Sequence, residues 1–305
     1  MELDPLESFD EHLKELDKYN KIFPWRLCIS GGWMDLKWCN EIYAGPAITV
    51  NVKHNEHFKD RCGLATSSRK LGIKLFNGAR KIHHLTPLEA ARYLWGTENM
   101  QSFKDVNPSI ITPQYKYIAG SQDHCGLFLP GINYLYYNNS HWPKRIISLN
   151  DAQKYGDIYR WFESVLWLIE IPFEARPFGY NSQQINYLKD TTVPYAEKRR
   201  MVKNLSDAAE LTWQGIVNKD IVKLGKGFSG TMSAWKEMLP ATVPDIPKLT
   251  NWWKAYEANS YGCLFSGAGG GYLMVINDKP VQDGFRIQIN TEYYVTKNTH
   301  QPSKL

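Results

Sequence analysis

Alternation and three-to-four-residue spacing of apolar positions divide the chain into legible segments. Trp25 to Ser30 and Ala47 to Val52 are rich in β-branched and aromatic residues, separated by Gly31-Gly32 and Gly45-Pro46, which predicts two strands. Leu6 to Tyr19 has the spacing of a short amphipathic helix. Ser67 to Asn77 sets Leu71, Ile73, Leu75 and Phe76 beside Arg69, Lys70 and Lys74, and Thr66-Ser67-Ser68 supplies hydroxyl N-caps, so a helix opens there. At Thr86-Pro87-Leu88-Glu89 the capping-box pattern, with Pro at the first helical position, starts another helix. Residues 99 to 116 read as a loop, and Gly131 to Tyr137 and Ser164 to Ile171 as strands. After Pro172 and Pro177 the texture turns helical, with Met201, Leu205, Ala208, Ala209, Trp213, Ile216 and Val217 at helical spacing. Tyr272 to Ile276 and Phe285 to Ile289 return to strand. Strands, then helices, then strands predict an α+β fold of two lobes, residues 1–178 and 179–305, with the boundary near Phe178 to Ser182.

Composition narrows the classes. A chain of 305 residues with 43% hydrophobic and 22% charged positions buries a core and is neither disordered nor fibrous. The net charge of +5 is spread thinly, with no Lys/Arg block to serve as a nucleic-acid arm, so no nucleic-acid partner is expected. The most apolar window, Val165 to Ile169, meets Glu170 far short of the roughly 20 residues a membrane span needs. An acidic, polar start and five scattered cysteines predict a cytoplasmic protein with reduced thiols, leaving the sequons at Asn138 and Asn204 unused.

Several patterns bear on chemistry. Gly225-Lys226-Gly227-Phe228-Ser229-Gly230 is a literal G-x-G-x-x-G, but it follows a helical stretch instead of a strand, so it reads as a helix C-cap and turn. His54, His57 and Cys62 lack a fourth ligand at metal spacing and read as a surface loop. Gly63-Leu64-Ala65-Thr66-Ser67-Ser68 places a turn and three hydroxyls at a helix N-terminus, either a phosphate site or an ordinary capped helix. Ser266-Gly267-Ala268-Gly269-Gly270-Gly271 before a strand is either a backbone packed closely on a ligand or a flexible hairpin. In Gly120-Ser121-Gln122-Asp123-His124, a carboxylate in a polar loop either orients a hydroxyl or forms a turn.

Taken in order, these segments resemble the GHMP kinases, the galactokinase, homoserine kinase, mevalonate kinase and phosphomevalonate kinase superfamily. Trp25 to Asp35 resembles the first motif, Gly63 to Ser68 the second, and Tyr261 to Gly271 the third and most specific. Gly31-Gly32-Trp33-Met34-Asp35, Gln122-Asp123 followed by Gly131-Ile132-Asn133, and the late glycine run look most like the branch holding heptose-7-phosphate kinase and fucokinase. The resemblance spans about residues 24 to 290 and implies a two-lobed α+β kinase fold using ATP and Mg²⁺ on a small sugar or sugar phosphate.

The roles it implies are specific. Asp123 orients or accepts the proton of the sugar hydroxyl, and Arg26 stabilises charge on the transferring phosphoryl group. Gly63, Leu64, Ala65, Thr66, Ser67 and Ser68 hold phosphates, and Ser67 with Glu98 meets Mg²⁺. Gly32, Trp33 and Asp35, with Gly267, Ala268, Gly269 and Gly270, hold the substrate. Departures from the family pattern are a shortened N-terminal lobe, with Val52 reaching Gly63 in a few residues, and Asp60-Arg61-Cys62 where the family has Pro-x-Gly. Ala65 replaces a usual Gly or Ser, and Arg69, Lys70 and Lys74 sit on a helix that is otherwise small and apolar in the family. The alternative is a catalytically silent sugar- or nucleotide-binding protein on the same scaffold.

Overall fold

The computed structural model describes residues 23–59, 64, 66–76, 85–99, 118–172, 186–239, 247–267 and 270–293. The predicted helix at Leu6 to Tyr19, nearly all of the loop at 99–116, Cys62 and the proposed lobe boundary lie outside them.

A first antiparallel sheet runs β1 (Trp25–Ser30), β2 (Gly45–Val52), β3 (Ile132–Tyr137), β4 (Arg145–Leu149) in that order. Its two faces differ by the two-residue period of a strand. Arg26, Cys28, Thr49, Asn51 and Asn133 share one face, where Asn51 and Asn133 donate to the carbonyls of Leu127 and Leu129 at the end of α4 (Gln122–Phe128). On the other face Leu27, Ile48, Val50 and Tyr134 meet α6 (Tyr195–Val217), with Tyr134 tilted against Trp213 at 5.4 Å. A bulge between Cys28 and Ser30 turns Ser30 out of the polar row, and its hydroxyl shares a 2.6 Å hydrogen bond with Thr231.

Helices α2 (Thr66–Phe76) and α3 (Pro87–Glu98) pack with α4 on the polar side. The capping box opens α3 as expected: Glu89 N–H donates to Thr86 Oγ1, while Thr86 N–H donates to Glu89. Arg69 of α2 is buried, stacked 3.6 Å over the Trp25 ring and donating to the carbonyls of Phe23 and Pro24. Arg69 thus ties α2 to the entrance of β1. A short α1 (Lys37–Asn40) follows the turn after β1, and α5 (Ala152–Val165) leads into the second sheet.

The second sheet orders β6 (Gly262–Gly267), β7 (Gly270–Ile276), β5 (Leu166–Glu170), β8 (Gly284–Arg286), all antiparallel. It therefore takes β5 from the sequence preceding residue 178. Helix α8 (Pro247–Glu257) packs on β6 and β7. Among the described residues no helix is long and apolar enough to cross a membrane. Cys28, Cys39, Cys125 and Cys263 are buried free thiols.

The glycine pattern at Gly225 to Gly230 is not a C-cap. It lies inside α7 (Ile221–Met238), which forms a hairpin with α6. A Cβ on Gly225 would sit 2.2 Å from the Tyr261 carbonyl, and one on Gly227 2.2 Å from Thr212 Oγ1 and 2.9 Å from Ala208 O. Close helix packing, not a turn, requires these glycines.

Gly227→Ala adds helix propensity of about 1 kcal/mol but overfills this contact, which costs about 1–3 kcal/mol or more. Urea unfolding is expected to show a net loss of stability; equal or higher stability would contradict the packing described.

Candidate active site

Arg26 stands second in β1 on the face that meets α4, and Asp123 lies in the first turn of α4. The Arg26 guanidinium Nη2 donates to Asp123 Oδ1 in a close ion pair. The guanidinium is buried, whereas the Asp123 side chain keeps 28% of its surface exposed, enough to meet a ligand. Sequence reading put Asp123 in a polar loop; it belongs to a short helix instead, because Cys125, Leu127 and Phe128 bury one side of that segment against the sheet.

The turn after β1 brings in a second carboxylate. Gly31 and Trp33 take φ of +69° and +87°, and Met34 N–H donates to Gly31 O at 3.0 Å. A bulky residue at positive φ costs on the order of 1–3 kcal/mol and persists only where surroundings enforce it. Here Trp235 of α7 donates from Nε1 to Gly32 O at 3.1 Å, and Trp33 packs on Trp38. The turn delivers Asp35 to a site only 2% exposed, where Oδ2 accepts the Gln122 N–H at 3.2 Å. Gly120 is pressed against it: a Cβ there would lie 1.7 Å from Asp35 Oδ2. Burial first, and the charge of Asp123 second, push the Asp35 carboxyl up to about 7, against the pull of the Gln122 N–H and of Arg26.

A third carboxylate joins α2, α3 and α4. Glu98, last in α3, accepts from Ser68 Oγ at 2.6 Å through Oε2, and His124 Nε2 lies 2.6 Å from the same oxygen. Ser67, which is exposed, adds a further hydrogen bond to this carboxylate. Burial alone would raise the Glu98 carboxyl, but His124, Ser68 and Ser67 outweigh it and hold it below the usual range.

Of the residues singled out from sequence, Arg26, Asp35 and Asp123 meet in one cluster, and Ser67, Ser68 and Glu98 meet in a second. The two are joined by α4, whose adjacent residues Asp123 and His124 each serve one of them. Leu64 is buried. Gly63, Ala65, Ala268 and Gly269 lie outside the described residues, as does the Thr66 side chain. Gly267 pairs with Gly270 at the end of the β6–β7 hairpin, with Gly271 at φ +87°. His124 was missed, although the sequence held a signal: it is the one polar residue in the buried run His124 to Leu129.

The Asp35 carboxyl sets a pH dependence. Its folded value lies above its ordinary value of 3.8, so its stabilising contribution is complete below about pH 4 and is lost as pH rises toward and through 7. Asp35→Asn removes that dependence while keeping an acceptor for the Gln122 N–H. Between roughly pH 5 and roughly pH 8.5 the variant is expected to gain on the order of 2–3 kcal/mol relative to wild type in urea unfolding. Parallel pH profiles for the two proteins would contradict it.

No protein-family model matches the sequence, and no curated protein matches it. Among solved structures, galactokinase from Lactococcus lactis, complexed with galactose, aligns over 92% of this chain and 98% of its own, at 12% identity and a TM-score of 0.51. A D-glycero-D-manno-heptose 1-phosphate kinase from Bacteriodes thetaiotaomicron aligns over 88% of this chain and 94% of its own, at 12% identity and a TM-score of 0.48, too low to add to the argument. At such identity the likeness concerns the fold. With two antiparallel sheets flanked by helices and this near end-to-end alignment, the chain has a GHMP kinase-like fold.

Proposed function

We propose that the protein is an ATP-dependent small-molecule kinase that phosphorylates a hydroxyl of a sugar or sugar phosphate, with a heptose-7-phosphate-like acceptor favoured. The observation that carries this reading is the meeting of Arg26, Asp35 and Asp123, drawn from three separate segments, at the first turn of α4, where Asp123 is partly exposed. The galactose in the Lactococcus lactis galactokinase supports a sugar as the acceptor class.

In this reading Asp123 orients the acceptor hydroxyl and takes its proton as that oxygen bonds to the γ-phosphorus and the bond to ADP breaks. Arg26, fixed by burial and by its pairing with Asp123, faces the charge that develops on the transferring group. Asp35, with Gly32 and Trp33 of the strained turn, holds the sugar by hydrogen bonds, and Gly267, Ala268, Gly269 and Gly270 are assigned to the same substrate. Gly63 to Ser68 lead into α2, whose free N–H groups and dipole favour phosphate oxygens.

The residues present fit Mg²⁺. A carboxylate held below its usual range and serine hydroxyls on the adjoining helix form a hard oxygen donor set. Glu98 and Ser67 are the residues that would hold the ion, which neutralises phosphate charge when bound. The lobes proposed at 1–178 and 179–305 would place phosphate and catalytic groups in the first and the glycine hairpin in the second.

Incubation with ATP, Mg²⁺ and a panel of heptoses, fucose, galactose and their phosphates is expected to release ADP; no turnover with any of them would contradict the reading. Asp123→Asn is expected to lower turnover by roughly two to four orders of magnitude while calorimetric ATP binding persists. Ser67→Ala is expected to weaken Mg-ATP binding as well as turnover. Asp123→Asn leaves the buried Arg26 with less compensating charge, so its kinetics are compared below its own melting temperature. Turnover near wild type in Asp123→Asn would remove the assigned base.

A further inference from the structure

His124 belongs to none of the roles above, yet it is among the most completely enclosed polar side chains described, with no exposed surface. Its ring is held at both nitrogens. Nδ1 lies 3.1 Å from Gly120 O, and Nε2 lies 2.6 Å from Glu98 Oε2. Gly120 packs closely on Asp35: a Cβ there would lie 1.7 Å from Asp35 Oδ2. Ser68 Oγ donates to the same Glu98 oxygen, at 2.6 Å. His124 and Ser68 therefore fix one carboxylate oxygen from two helices and leave Oε1 as the oxygen that neither engages.

We propose that His124 is a positioning residue for Glu98: tied to Gly120, it sets the carboxylate so that Oε1 serves a divalent cation together with Ser67. The proposal rests on reading Glu98 as the metal-holding acid. It adds a residue that no metal touches but on which metal affinity depends, as histidines and carboxylates beside metal ligands commonly do. It also links the two clusters: the stretch from Asp35 through Gly120 and His124 to Glu98 is continuous contact.

The test uses Mn²⁺ as the probe, titrated against the full chain saturated with a non-hydrolysable ATP analogue and followed by electron paramagnetic resonance. His124→Met fills the space and donates nothing, and it is expected to weaken Mn²⁺ by about 10- to 100-fold, whereas His124→Gln, which keeps a donor, stays within about threefold. In a Glu98→Gln background His124→Met adds no further loss, because the group it positions is gone. Should His124→Met not fold, His124→Asn, whose amide is too short to span the gap, takes its place. Wild-type Mn²⁺ affinity in the donor-free variant, or equal losses in the Met and Gln variants, overturns the proposal and leaves the metal role of Glu98 standing. Failure of wild type to bind Mn²⁺ beyond the nucleotide itself overturns that role, and the proposal with it.

Discussion

A buried guanidinium needs compensating hydrogen bonds or charge; Arg69 finds carbonyls and a ring, whereas Arg26 takes a carboxylate, and its placement organises much of this molecule. Arg26 enters with β1, on the polar face of a sheet whose other face is apolar. Its partner arrives on α4, which can approach because Gly126 presents no side chain: a Cβ there would lie 3.1 Å from Arg26 Cβ. Once α4 is docked, its N-terminal approach pins Asp35 through Gly120 and Gln122, and its third residue, His124, reaches Glu98. One ion pair thereby fixes three carboxylates from three elements, at the expense of a strained turn and a carboxyl pushed far above its ordinary value.

That arrangement separates tasks by environment. Asp123 is partly exposed beside a fixed cation, a setting suited to meeting an acceptor hydroxyl. Asp35 is enclosed and close to a second negative charge, and both push its carboxyl up to about 7, so it keeps its proton well above the pH at which an ordinary carboxyl loses it. Glu98 is held as a carboxylate by hydroxyls and an imidazole. Three carboxyl groups within one site thus differ because burial, neighbouring charge and hydrogen bonding act on them unequally.

Much of the fold was legible in the sequence where local signals are strong. The strands at Trp25 and Ala47, the capping box at Thr86 and the long helix through Met201 to Val217 appear as read, since β-branched runs and capping chemistry act locally. Sequence reading failed where tertiary packing overrides local pattern. Gly225 and Gly227 looked like a helix end but admit close contacts between α7 and its neighbours, and Asp123 looked like a loop residue. Helix α5, strand β4 and helix α8 were not foreseen, although α5 sets Tyr159, Phe162 and Val165 at helical spacing on its buried side. Of the residues that the ordered motifs singled out, Arg26, Asp35 and Asp123 meet in one cluster and Glu98 in the adjoining one. The part played by His124 depends on a contact across 26 residues of sequence, which no local pattern encodes.

The most direct test is a crystal structure of the protein with a non-hydrolysable ATP analogue, Mg²⁺ and an acceptor sugar. The expected complex has one sugar hydroxyl within about 3 Å of an Asp123 carboxylate oxygen and the γ-phosphorus on the far side of that hydroxyl, near Arg26. A nucleotide bound away from the start of α2, or a sugar whose hydroxyls all avoid Asp123, would contradict the assignment.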